Sequence, residues 1–121
     1  MPVRAAKQQL LASAPRAGEG ERKVTSPLEL AVQAALADAV KHAPAGAPRP
    51  SLLRVDQVTW ADGALGCPAP GRVYTMALVP GFRIRVMAGT TVLDYHAGRR
   101  GAPFVCPEGR ATDPLPDNRI Y

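Results

Sequence analysis

The spacing of apolar residues changes period along this chain, and the change predicts its elements. From Ser26 to His42, Leu28, Val32, Ala35, Leu36, Ala39 and Val40 recur at intervals of three and four, with Glu29, Gln33, Asp38 and Lys41 mostly off that stripe. Ser26 stands as a cap, Pro27 fits the first helical position, and Glu29 three residues past the cap completes a capping box. The pattern predicts a helix over 27–42. Pro44, Gly46, Pro48 and Pro50 follow, so 43–50 reads as a stiff Ala/Pro linker.

From Ser51 the period becomes two. Leu53, Val55 and Gln57 alternate with Arg54, Asp56 and Val58 in a strand that runs to Trp60. Further strands are expected over 73–79, closed by Pro80-Gly81, then 82–87 and 92–96, with a short return at 104–106. A two-residue turn at Gly89-Thr90 places Ala88 opposite Thr91, Val86 opposite Leu93 and Ile84 opposite Tyr95. One face of that hairpin is then Phe82, Ile84, Val86, Leu93 and Tyr95, and the other carries Arg83, Arg85, Asp94 and His96. Arg85 falls directly across from Asp94 and Arg83 from His96, and a slip of one residue would destroy both faces. The expected fold is α+β: one N-terminal helix packed on a small antiparallel sheet of four to five strands. The single domain is expected over 26–106, with the sheet over 51–106, between a basic, disordered tail at 1–25 and an irregular C-terminal tail at 107–121.

Composition narrows the function classes. With 121 residues the chain has room for one domain, and no apolar run approaches the ~18 residues of a membrane-spanning helix. Of the net charge of +5, three units sit in residues 1–25, where Arg4, Lys7, Arg16, Arg22 and Lys23 face only Glu19 and Glu21. A basic tail of this kind solubilises, or touches anionic surfaces loosely. The apolar stretch ahead of Ala12-Ser13-Ala14 is shorter than the ~7–15 residues of a secretory signal, so 1–14 does not read as a working one. Cys67 and Cys106 are the only cysteines. In an oxidising compartment two cysteines in a small Pro/Gly-rich chain form one disulfide, and in a reducing one they are two buried thiols.

The motif Thr59-Trp60-Ala61-Asp62, continuing Leu65-Gly66-Cys67-Pro68 and Pro70-Gly71, is followed by Tyr74, by Val79-Pro80-Gly81-Phe82-Arg83-Ile84 and by Tyr95-His96. Across residues 51–106 the chain resembles a family of small uncharacterised bacterial proteins, often exported, that share a T-W-x-D-x-x-L-G-C-P-x-P-G signature. The resemblance implies a helix-then-sheet layout and an exported or periplasmic location, with a cytoplasmic one as the alternative. It implies no reaction.

Each candidate site has a structural reading beside a functional one. Trp60 and Asp62 are either a core cap with a turn-bonding carboxylate or an exposed recognition anchor. The Pro-rich stretch from Leu65 to Gly71 is a tethered loop of the kind that small inhibitors present. Arg83, Arg85, His96, Arg99 and Arg100 form a basic face that fits an acidic protein surface, or is merely solvated. Nucleic acid is a poor partner, because no aromatic side chains interleave with these arginines. Asp94, His96 and a reduced Cys67 would suit a minor thiol enzyme. Cys67, Cys106, His42 and His96 could be written as a zinc set, without the close ligand spacing such sites use. No catalytic residue, metal or cofactor is assigned. The expected function is non-catalytic: a disulfide-bonded cell-envelope or secreted domain that binds an unknown protein partner, inhibitor-like, with the reduced-thiol protein as the alternative.

Overall fold

The computed structural model describes residues 26–116, so the basic segment 1–25 and residues 117–121 lie outside the described part. Helix α1 spans Pro27–Ala39, and a single 3-10 turn, Val40–His42, finishes it. The Ser26 hydroxyl accepts from the Glu29 amide at 3.1 Å, and the Glu29 carboxylate accepts from the Ser26 amide at 3.0 Å. Two otherwise unpartnered helix donors are thereby satisfied. Ala31, Ala35 and Ala39 form the buried face, flanked by the half-buried Leu28, Val32 and Leu36. Small side chains at four-residue spacing let the helix lie close on the sheet. Val40 does not join that face as its spacing suggested. The chain leaves α-helical geometry after Ala39, and Val40 turns to solvent.

The sheet has four antiparallel strands in sequence order: β1 (Ser51–Trp60), β2 (Val79–Ala88), β3 (Thr91–Gly98) and β4 (Phe104–Val105). The β2–β3 hairpin has the expected register, with Ala88 opposite Thr91, Ile84 opposite Tyr95 and Arg83 opposite His96. Its apolar face, Phe82, Ile84, Val86, Leu93 and Tyr95, meets the alanines of α1 to form the main core. The Tyr95 hydroxyl donates to Asp38 of α1 at 2.7 Å and fastens the two layers. Burial, together with the adjoining Asp38 carboxylate, raises the Tyr95 phenol, and the same hydrogen bond lowers the Asp38 carboxyl.

Three local expectations need correction. Residues 73–78 are not a strand. The Thr75 carbonyl accepts from the Gly63 amide at 2.8 Å, which holds this stretch as an irregular loop. Strand β2 instead begins at Val79 and runs through Pro80. In this register the Pro80 nitrogen faces the β3 side, and β3 ends at Gly98, opposite Gly81, so no ladder bond is lost. In β1 a bulge at Leu53 shifts the pairing, so that Leu52, rather than Leu53, shares a face with Val55.

Residues 107–116 are irregular but bound to the domain. After a 3-10 turn at Glu108–Arg110, the Thr112 amide donates to the Gly66 carbonyl at 2.8 Å. The Leu115 amide donates to the Thr59 carbonyl at 2.9 Å. This strap and the loop after β1 cover part of the sheet face opposite the helix. No helix among the described residues is long and apolar enough to cross a membrane.

Candidate functional site

The face away from α1 contains a second, polar-lined core. Trp60 and His96 are both fully buried there and stack, with ring centroids 4.5 Å apart and planes 21° apart. The row between them on β2 and β3 is Gly81 and Gly98, which carry no side chains, so the indole can reach across to donate to the Ala97 carbonyl at 3.0 Å. Gly66 lies against the indole edge at φ +73°, and a Cβ there would overlap the Trp60 ring. Cys67 and Cys106 are buried beside this cluster and joined as a disulfide, with Cα atoms 5.8 Å apart. The bridge removes the free thiol on which both a thiol enzyme and a zinc set depend.

His96 is therefore not part of a solvated basic face. Its Nδ1 lies 2.7 Å from the Leu65 carbonyl and its Nε2 lies 3.1 Å from the Asp94 carboxylate. Both partners are acceptors, so the ring donates to both only when doubly protonated. Leu65 is the one described non-glycine residue with positive φ, at 56°, and it is the residue whose carbonyl meets His96.

Asp94 organises the charges on this face. Arg83 binds it through two parallel hydrogen bonds of 3.0 and 2.9 Å and reaches Asp113 of the strap at 2.9 Å. Arg85, directly across from Asp94, does not pair with it, because the Arg83 fork and His96 occupy the carboxylate. Burial alone would raise the Asp94 carboxyl. The hydrogen bonds and positive charges of His96 and Arg83 outweigh it and hold the group well below the usual carboxylate range. The Arg83 guanidinium is correspondingly raised by its carboxylate partners. A depressed folded value means that Asp94 stabilises the fold at neutral pH, and that this contribution is lost as pH falls below about 4 toward the folded value. Unfolding measured from pH 7 to 2 should show D94N less stable at pH 7 by about 2–3 kcal/mol, and less steeply destabilised by acid than wild type.

Burial thus separates the expected binding residues. Trp60 is an internal cap rather than an anchor, and the Asp62 carboxylate accepts from the Ala64 amide at 2.9 Å within its own turn. The Arg83 side chain is only 11% exposed and paired twice. Arg85 is half-buried, and Arg99 and Arg100 are exposed.

The feature that sequence reasoning missed is the loop over residues 68–78. The large apolar side chains of Val73, Met76 and Leu78 are 95%, 84% and 61% exposed. Yet its backbone is tied at several points. The disulfide holds its start, the Ala69 amide donates to the Tyr74 hydroxyl at 3.0 Å, and Thr75 is bonded to Gly63. Arg110 from the strap donates to the Pro68 carbonyl at 3.2 Å. The one sequence signal was the run Val73–Val79, which lacks the polar alternation of a half-buried strand.

No curated protein and no solved structure matches the chain. A family described as a domain of unknown function, DUF8738, matches residues 32–106, from within α1 through the second cysteine. The match takes in both layers and the disulfide, and the chain belongs to this family.

Proposed function

We propose that this chain is a non-catalytic protein-binding domain of the bacterial cell envelope or exterior, which presents residues 68–78 to a partner protein in the manner of an inhibitor loop. One observation carries the reading: Val73, Met76 and Leu78 are exposed on a loop whose backbone is already fixed. Apolar side chains held out from a tethered backbone bind with little ordering cost, which is how a small rigid loop gains affinity. The buried disulfide favours an oxidising compartment, and hence export.

The test is photo-crosslinking in producing cells, with a benzophenone amino acid at Met76 and, as control, at Gln33 on the exposed side of α1. A discrete protein adduct from position 76 and none from 33 is expected. V73D combined with the probe at 76 should abolish the adduct while leaving the thermal midpoint unchanged, because Val73 supports nothing in the fold. Equal adducts from 76 and 33, or none from 76, would remove the reading.

A further inference from the structure

We propose that the open edge of β1 and the arginine-lined groove beside it bind an extended, acidic peptide segment of a partner protein, added to the sheet as a fifth strand. Among the described residues the sheet ends at β1, and no described strand neighbours the outer side of that ten-residue strand. Even-numbered residues of β1 beyond the bulge bond to β2. The odd-numbered ones face outward, as the Thr59 carbonyl shows by accepting from Leu115. Among the described residues Leu115 is the sole backbone partner on that side, and none of them bonds to the outward amide and carbonyl groups of Val55 and Gln57. Such an edge is a template for another strand.

Beside the edge lies a groove of about 1040 Å³, with Arg54, Arg83, Arg85 and Arg99 against Asp56 and Asp113 in its lining. Arg54 is paired with Asp56, and Arg83 with Asp94 and Asp113. Arg85 and Arg99 have no carboxylate within ion-pair distance among the described residues. Arg85 also lies directly across from Arg54, a like-charged pair that an incoming carboxylate would relieve.

The chain itself carries a short example of this mode. In the strap, the Leu115 amide bonds to the β1 edge while Asp113, two residues earlier, sets its carboxylate on Arg83 at 2.9 Å. A partner segment continuing along the edge would repeat that arrangement, with alternate acidic residues on the arginine face. A peptide suits the site better than nucleic acid or lipid, because only a polypeptide supplies amides and carbonyls at strand spacing. The groove's one aromatic residue, Phe82, is buried in the main core and unavailable for stacking on bases.

The test is fluorescence anisotropy of the full chain with a labelled Val-Glu alternating heptapeptide, its Val-Lys counterpart and oligothymidylate. Saturable binding of the acidic peptide is expected, at least tenfold tighter than either comparison ligand, and at least tenfold weaker in R85E/R99E. Q57P removes an outward amide without touching the β1–β2 ladder and should weaken binding at least tenfold. In the unaltered protein, bound peptide should slow amide exchange at Val55 and Gln57, a readout that stands even if Q57P folds poorly. Oligothymidylate binding as tightly as the acidic peptide, a folded Q57P that binds as wild type, or unchanged exchange at both amides would each overturn the proposal.

Discussion

Replacing Cys67 and Cys106 together with alanine should lower the free energy of unfolding by about 4 kcal/mol, from the loop-closure cost of joining residues 39 apart. Small domains are stable by roughly 5–15 kcal/mol, so the loss is a large share of the whole. The effect should also be spatially uneven. The main core between α1 and β2–β3 contains no cysteine and keeps its packing. The second face relies on the bridge, because Cys67 starts the 68–78 loop and Cys106 starts the strap that returns to Gly66 and Thr59. Denaturant unfolding of the double variant measures the total. Amide exchange should locate the loosening at Gly63 and Thr112, whose amides hold the loop and the strap, before it reaches Ile84 or Tyr95.

The second large effect is expected at Trp60. W60A should cost about 3–5 kcal/mol, the range for removing a fully buried large aromatic side chain. The cavity would open between His96, Gly66 and Ala97, so the stacking on the imidazole and the bond to the Ala97 carbonyl would be lost together. W60F separates the two contributions. It keeps a ring over His96 but leaves the Ala97 carbonyl without its donor, for a cost of about 1–3 kcal/mol. Thermal and urea unfolding of the two variants give the comparison. A near-zero effect of W60A would contradict the second core.

The parts of the fold legible in the sequence are those fixed by local chemistry. The cap of α1 rests on Ser26 and Glu29, three residues apart, and the β2–β3 register rests on a tight turn with matched alternation on both strands. The rest depends on contacts across the chain. Alternation places His96 and Arg83 on the face away from the helix, which in a two-layer domain reads as solvent. What buries them is a loop and a strap with no periodicity, held by single hydrogen bonds such as Thr112 to Gly66. For the same reason Asp94 pairs with Arg83 and His96 instead of its direct neighbour Arg85. Val73–Leu78 carries strand-favouring residues, yet its backbone is held by Gly63 rather than by a neighbouring strand.

Most rests on Cys67 and Cys106 being joined where the protein works, since the fixed loop and the proposed export both depend on that bond. It is tested most directly by acid-quenching cells of the native host, alkylating the protein under denaturing conditions, and weighing it intact before and after reduction. No alkyl group before reduction, two after it, and a monomer mass throughout are expected. Alkylation of both cysteines without reduction would contradict it and return the chain to the class of reduced-thiol proteins.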